Sequence, residues 1–211
     1  MRIEGHPFEL QIIGEDGNPV QETAQGHIGL CHGECYSLRL TNEGNVRVAV
    51  QLTIDGTPLE NRFVVGGYRF SDLETIPNTG KKLTFFESGT NEAQQAFLDG
   101  VSEQNLGVIS ATFSREKPKQ VVLGLFNTRG LSEGASRSAS AGGTGLSGYS
   151  NQRFSPTSFN DDTMFEPVTL NIRLYCDPNR KSSLDAHPIP GRVRSSNPVP
   201  PPVGENGCHI K

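Results

Sequence analysis

The sequence predicts an all-β protein: an antiparallel β-sandwich, and within that class a single jelly roll of about eight strands with one short helix. Short stretches in which apolar and polar residues alternate recur along the chain, separated by Gly, Pro, Asn and Asp. One stretch has a helical composition, which is too few for the crossovers that parallel sheets need. The chain contains no Trp, so it lacks the Cys–Trp–Cys pattern of seven-stranded immunoglobulin domains.

The clearest alternation lies in residues 34–56. It is interrupted at residues 42–45, where Asn and Gly accept the positive φ angles of a hairpin loop. We therefore expect an antiparallel hairpin with one buried aliphatic face and one wet face. The residues expected on the buried face are Tyr36, Leu38, Leu40, Val46, Val48, Val50, Leu52 and Ile54.

The other predicted elements follow in chain order. Strands are expected at residues 7–14, 26–31, 60–66, 72–76, 81–87, 106–114, 120–126 and 166–176. The stretch 81–87 is apolar on both faces, which predicts a strand near the middle of a sheet. Residues 90–99 contain good helix formers and precede Gly100, which predicts a helix of about three turns lying over one sheet end.

Two segments depart from the strand pattern and define the domain organisation. Residues 130–155 contain six Gly and seven Ser, a composition that favours a flexible insertion between strands. Residues 178–211 hold seven of the 14 prolines and carry a charge of about +3, which predicts an extended tail able to lie along another subunit or to remain disordered. The expected domain is therefore residues 1–177, followed by the tail.

Charge and hydropathy set limits on the partners. The net charge of −4 provides no basic field for nucleic acid or an anionic membrane. The chain has no run of 18 apolar residues, so no membrane span is expected. Its first residues lack the apolar core of a signal peptide, which favours a cytoplasmic location.

The cysteines and histidines offer one candidate metal cluster. Cys31, His32 and Cys35 lie close in sequence, and Cys208 and His209 lie near the C-terminus. Structural zinc needs four Cys or His ligands, and here the second half is not a Cys-x-x-Cys pair. The alternatives are free thiols in a reducing compartment and a disulfide between Cys31 and Cys35. We expect no metal site.

Other chemical signatures are weaker. Asp161, Asp162 and Glu166 cluster before the last strand, without the spacing of a calcium loop. Residues 142–145 resemble a phosphate loop in composition, but no Lys follows them. The chain contains no HExxH motif and no P-loop. We therefore expect no enzyme, no catalytic residue and no cofactor.

Three stretches together resemble a known class of protein. They are YSLRLTNEGNVRVAVQLTIDG at 36–56, KKLTFFESGTNEA at 81–93 and LGVISATFS at 106–114. Their order resembles small single jelly-roll structural proteins, including the vertex (penton) proteins of large icosahedral DNA viruses. The resemblance spans residues 8–126 and 166–177 and leaves the insertion and the tail unexplained.

The resemblance implies a non-enzymatic structural assembly protein, a capsid vertex or minor capsid subunit. It implies a homo-oligomer, with five copies around a symmetry axis, whose tail or termini grip neighbouring capsid proteins. The location implied is the virion, assembled in the host cytoplasm. The alternative is a β-sandwich module that binds a carbohydrate or a peptide on a sheet face. A cupin-like jelly-roll enzyme would need two His and a carboxylate pointing into a barrel, and no predicted strand carries two His.

Overall fold

A computed structural model describes residues 1–96, 102, 104–117 and 142–180, which form a two-layered β-sandwich with one short helix. The predicted all-β sandwich is therefore confirmed. The helix α1 spans Asn91–Ala96, and the predicted strand at 120–126 lies outside the described residues. The strands are β1 (Phe8–Gly14), β2 (His27–Leu30), β3 (Cys35–Asn42), β4 (Val48–Ile54), β5 (Thr57–Pro58), β6 (Phe63–Val65), β7 (Arg69–Leu73), β8 (Lys82–Glu87), β9 (Val108–Arg115), β10 (Gly142–Ser147) and β11 (Val168–Cys176).

The strands divide into two sheets. In the first sheet the order is β1-β3-β8-β10, and β7 also pairs with β3. In the second sheet the order is β2-β11-β9-β4-β5, and β6 also pairs with β4. Among the described strands every pairing is antiparallel except that of β2 with β11, which is parallel. The expectation of antiparallel pairs alone is wrong at this position, because strands this far apart in sequence need no helical crossover to run in the same direction.

The core lies between the two sheets. Phe8 of the first sheet stacks on Phe113 of the second, with ring centroids 4.8 Å apart. The inward residues of β3 and β4 are almost fully buried, as their alternation predicts. Strand β8 lies between β3 and β10 and is buried on both faces, which confirms its predicted central position.

The predicted hairpin at 34–56 is wrong. Strands β3 and β4 do not pair; each belongs to a different sheet, and the chain crosses from one layer to the other between them. The buried Asn42 side chain fixes this crossing, since it donates to the Val46 and Gly66 carbonyls at 2.8 and 3.0 Å and accepts from the Gly44 N–H at 3.0 Å. An alternating pattern records which residues face a core, and it is the same whether two strands pair side by side or face each other across that core.

The predicted flexible insertion at 130–155 is wrong at its C-terminal end. Residues Gly142–Ser147 form β10, which pairs with β8 along six residues. The glycines have a steric role here, because a Cβ on Gly142 would lie 2.1 Å from the Phe85 ring. A small residue therefore lets β10 lie close to a bulky neighbour, which a count of Gly and Ser does not reveal.

The predicted domain boundary at residue 177 stays a prediction, and the three described residues after it make contact with the sandwich. After β11, the Arg180 guanidinium forms three hydrogen bonds of 2.7–3.2 Å with the carboxylate of Glu34. Glu34 also accepts from the Cys31 N–H at 2.9 Å, and its side chain is 1% exposed. The sandwich thus includes residues 178–180, because a buried carboxylate needs this cation.

Candidate binding groove

An extended segment crosses one open side of the sandwich. We call this segment, residues 149–161, the strap. It begins after β10 in the first sheet, where the Ser150 N–H donates to the Gly80 carbonyl at 2.9 Å. It ends beside the second sheet, where the Asn160 carbonyl accepts from the Lys117 N–H at 2.8 Å. The strap therefore connects the two layers across the edge at which β6 and β7 lie.

One side chain fastens the middle of the strap to the edge of the first sheet. The Gln152 amide donates to the Asp72 carbonyl at 2.6 Å and accepts from the Glu74 N–H at 2.9 Å. These are the two hydrogen bonds that a peptide unit of a neighbouring strand makes to a sheet edge. Gln152 thus covers part of an edge that would otherwise present unpaired backbone groups.

The strap, β6 and β7 enclose a groove of about 890 Å³, which we call the side groove. The Phe154 ring of the strap packs edge-to-face on Phe63 of β6, with centroids 5.7 Å apart. A groove of this size with both aromatic and amide groups has the character of a ligand site. Its lining residues include Asn61, Arg62, Phe63, Val64, Leu73, Pro77, Asn78, Gln152, Arg153, Phe154, Pro156 and Phe159.

Two ion pairs neutralise charges at the side groove. Arg62 donates to Asp161 at 2.7 and 3.1 Å, and its guanidinium lies 5.5 Å from the Phe159 ring centroid. Hydrogen bonding to Asp161 raises the pKa of Arg62, so this cation stays charged. Asp72 accepts two bonds from Arg39, at 2.7 and 2.8 Å. Arg62 and Asp72 therefore do not serve as anchors for a charged ligand group, and Arg153 is the third charged residue of the lining.

Several large apolar side chains near the side groove are exposed to solvent. Phe70 on β7 is 57% exposed, and the Arg39 guanidinium lies 4.5 Å from its ring centroid. Tyr68, two residues earlier, is 75% exposed, and Phe154 is 39% exposed. Exposed aromatic groups beside a groove are typical of protein–protein contact surfaces.

A second, smaller cleft lies on the outer face of the first sheet. It has a volume of about 200 Å³ and surrounds Ser37 of β3. Lys82 and Glu74 lie on one side of it, and the turn at Glu15 lies on the other. Hydrogen bonding to Asp72 raises the pKa of Arg39, which also lines this cleft. Such a mixture of charges suits a small polar ligand.

The three described residues of the candidate metal cluster each make a different hydrogen bond in the structure. The Cys31 thiol donates to the Arg180 carbonyl at 2.8 Å, and the Cys35 thiol lies 3.4 Å from the Thr84 hydroxyl. His32 accepts the Glu87 N–H at its Nδ1 atom, at 3.2 Å. Within the described residues no three His, Cys, Asp or Glu side chains form a metal-binding group. Cys208 and His209 lie outside the described residues, so the absence of a metal stays a prediction.

Burial makes two of the thiols less acidic. It raises the pKa of both Cys31 and Cys176, the two cysteines that lie near the parallel β2–β11 pair. Cys31, Cys35 and Cys176 are free cysteines, so the alternative of a Cys31–Cys35 disulfide is not what the structure shows. Thiols of raised pKa are poor nucleophiles at neutral pH.

Two of the three acidic residues before β11 make contacts at or just after the end of the strap. Asp161 holds Arg62, and Asp162 accepts from the Met164 N–H at 3.1 Å in a tight turn. Glu166 is exposed. Asp161 and Asp162 therefore act in ion pairing and turn formation, respectively.

The sequence pattern missed one buried carboxylate. Asp55 accepts from the backbone N–H groups of Gly107 and Thr144, each at 2.6 Å, and so links β4 to the start of β9 and to β10. Burial raises its pKa to about 6. Gly107 has a φ of +73°, and a Cβ there would lie 2.4 Å from the Leu174 carbonyl. The Asp55-Gly56 pair reads as a turn in sequence, which conceals this role.

The comparisons with known proteins give no family for the chain. No protein-family model, no curated protein and no solved structure matches it. Within the described residues, no helix has the length and apolar character needed to cross a membrane.

Proposed function

We propose that the chain is a non-enzymatic structural assembly protein, a viral capsid vertex (penton) or minor capsid subunit that binds neighbouring capsid proteins through its loops and tail. The observation that carries this proposal is a set of exposed aromatic side chains: Phe154 in the lining of the side groove, Phe70 on β7 and Tyr68 just before β7. Exposed aromatic groups are costly in water and are typical of surfaces that become covered on assembly.

The jelly-roll topology belongs to the same proposal. The division of strands between the layers supports it, because β1, β3, β7, β8 and β10 lie in one sheet and β2, β4, β5, β6 and β9 lie in the other. The chain therefore crosses repeatedly between layers, as in Greek-key sandwiches. Repeated crossing between the layers does not by itself explain two features of the strand order: β1 pairs directly with β3, and β11 lies between β2 and β9.

A ring of identical subunits fits this surface. Ring assembly needs two different patches on each chain that meet repeatedly around an axis. The side groove is one such patch, and a second patch is available in the tail or in the loops at the sandwich ends. The proposed partners are copies of this chain, as a homo-oligomer such as a pentamer, and other capsid subunits in the virion, with assembly in the host cytoplasm.

The mass of the purified full chain in solution tests the assembly function. Size-exclusion chromatography with light scattering, run over a hundredfold range of concentration, is expected to show a mass several-fold that of one chain at the upper end. A chain that stays monomeric throughout, and that also fails to join neighbouring capsid proteins, contradicts the proposal.

Carbohydrate or peptide binding on a sheet face is the second candidate function. The polar cleft around Ser37 favours it, since a hydroxyl, an ammonium group at Lys82 and a carboxylate at Glu74 line a small depression. Arg39 also lines this cleft, and its guanidinium lies 4.5 Å from the centroid of the exposed Phe70 ring. A glycan array probed with the full chain tests it. A monomeric chain with a saturable glycan ligand that a Ser37→Trp substitution blocks would favour this function over assembly.

A further inference from the structure

The side groove has the chemistry of a site for proline-rich peptide. Aromatic rings line it at Phe63, Phe154 and Phe159, and their flat faces suit the ridges of a polyproline II helix. A polyproline II segment has no internal hydrogen bonds, so its carbonyls need donors from the receptor. The side chains of Asn61 and Asn78 line the same groove and supply such donors.

Two of the three charged side chains that line the groove form ion pairs, and the third is Arg153. Arg62 and Asp72 are each held by a partner of opposite charge, so neither is available as a strong anchor for a charged ligand. A segment without charge and rich in Pro matches this surface, and it loses little conformational entropy on binding because its backbone is already restricted.

The chain itself contains such a segment. Residues 198–203 read Pro-Val-Pro-Pro-Pro-Val, with no charge and with the P-x-x-P spacing that aromatic grooves recognise. They follow the last described residue, Arg180, by 17 intervening residues. At about 3.1 Å per residue these can span up to about 55 Å, which is enough to reach a neighbouring subunit.

We propose that the side groove of each subunit binds residues 198–203 of a neighbouring copy. This inference rests on the proposed assembly function and names its contact. The groove and the tail segment are different patches of one chain, so their pairing is heterologous and can close a ring. The Phe154 ring at the groove mouth stacks on the proline rings, and the Asn61 amide donates to a proline carbonyl.

A peptide titration tests the groove without depending on oligomerisation. The receptor is the full chain carrying Pro198→Ser, Pro200→Ser and Pro201→Ser, which leaves the groove free of its own tail. A labelled peptide of residues 195–205 is expected to bind it saturably by fluorescence polarisation. Adding Phe154→Ser or, in a second receptor, Asn61→Ala is expected to weaken binding at least tenfold. The matched control is Met164→Ser, which removes a side chain that is 93% exposed and does not line the groove.

Light scattering on the same variants tests whether the tail in the groove comes from a neighbouring copy. The tail variant and Phe154→Ser are each expected to lose the oligomer, whereas Met164→Ser keeps it. Oligomers that survive both changes overturn the inference while leaving the assembly function intact. Failure of the peptide to bind, or equal binding to the Phe154→Ser receptor, also overturns it. If the peptide binds but the wild-type chain is monomeric at every concentration, the tail occupies its own groove, and both the neighbour contact and self-assembly are wrong.

Discussion

Asp55 is a buried carboxylate whose two oxygens hold parts of both sheets, and its protonation links pH to stability. Burial raises its pKa to about 6 from the ordinary 3.8, so the folded state binds this proton more tightly than the unfolded chain does. The stability that this proton provides is fully present below about pH 4. It is lost as the pH rises through 6, and two pKa units correspond to about 3 kcal/mol.

An Asp55→Asn substitution removes this titration. The free energy of unfolding of the wild-type chain, minus that of the variant, is expected to fall by about 3 kcal/mol between pH 4 and pH 7. Urea unfolding of both chains at four pH values in that range measures the difference. The contributions of the other titrating groups to the free energy of unfolding are common to both chains and cancel in it. A difference that stays constant with pH would show that the pKa of Asp55 is the same in the folded and unfolded states.

Two Arg–carboxylate pairs of different burial allow a matched comparison. Glu34 is 1% exposed, so an Arg180→Ala substitution leaves an unpaired buried charge and is expected to cost about 3–5 kcal/mol of stability. The Arg62–Asp161 pair has side chains 39% and 45% exposed, so Arg62→Ala is expected to cost at most about 1 kcal/mol. Chemical denaturation of the two variants at pH 7 checks the contrast. Equal losses would mean that Glu34 finds another cation or regains water.

At the residue scale, the sequence predicts which side chains face the core and misses which polar groups join the layers. Val50 and Leu52 are buried as their alternation indicates, because burial of one strand face follows from the period of the backbone. Asp55 and Glu34 are surface residues by type. Their partners Thr144 and Arg180 lie 89 and 146 residues away, so no local pattern reveals the contacts.

At the scale of elements, the sequence predicts where strands lie better than it predicts which strands pair. Strands β1, β2, β9 and β11 lie where alternation indicates, whereas β3 and β4 face each other across the core instead of pairing. Period two fixes the direction of a side chain but not the neighbour of a strand. The strap and the side groove could not be predicted, because an extended segment without apolar alternation looks like any loop.

The Gln152 amide attaches the middle of the strap to β7 and to the residue after it, and this gives an element-scale prediction. Gln152→Ala removes two hydrogen bonds worth about 1 kcal/mol each, so local opening of the strap should increase on the order of tenfold or more. Limited trypsin digestion followed by mass spectrometry measures cleavage after Arg153, which lies in the strap.

The matched control for the strap is Gln51→Ala. Gln51 donates to the Leu59 carbonyl at 2.7 Å in the second sheet and makes no hydrogen bond to the strap among the described residues. Cleavage after Arg153 is expected to stay at the wild-type rate in this variant. Equal cleavage rates for both variants and the wild type would show that the aromatic packing of Phe154, and not the amide, holds the strap.

At the scale of the whole molecule, the composition of the strands predicts the two-layered sandwich. It does not predict which residues after the last strand contact the sandwich. Short amphipathic strands with a single helix must bury their apolar faces against each other, which leaves few architectures. Alternation predicts a boundary at the end of the last strand, yet Arg180, which follows that strand, holds the buried Glu34 carboxylate. A charge that completes a distant buried pair leaves no mark on local hydropathy.

Two truncations test this boundary. A chain ending at Arg180 keeps every described contact of the sandwich, so its free energy of unfolding is expected to equal that of the full chain when measured at low concentration, where assembly does not contribute. A chain ending at Asp177 loses the guanidinium that holds Glu34 and is expected to be about 3–5 kcal/mol less stable. Urea unfolding followed by circular dichroism gives both values. A Glu34→Gln substitution in the shorter chain should recover part of the loss, because it removes the unpaired charge. Equal stability of the two truncated chains would place the end of the folded domain back at the end of β11.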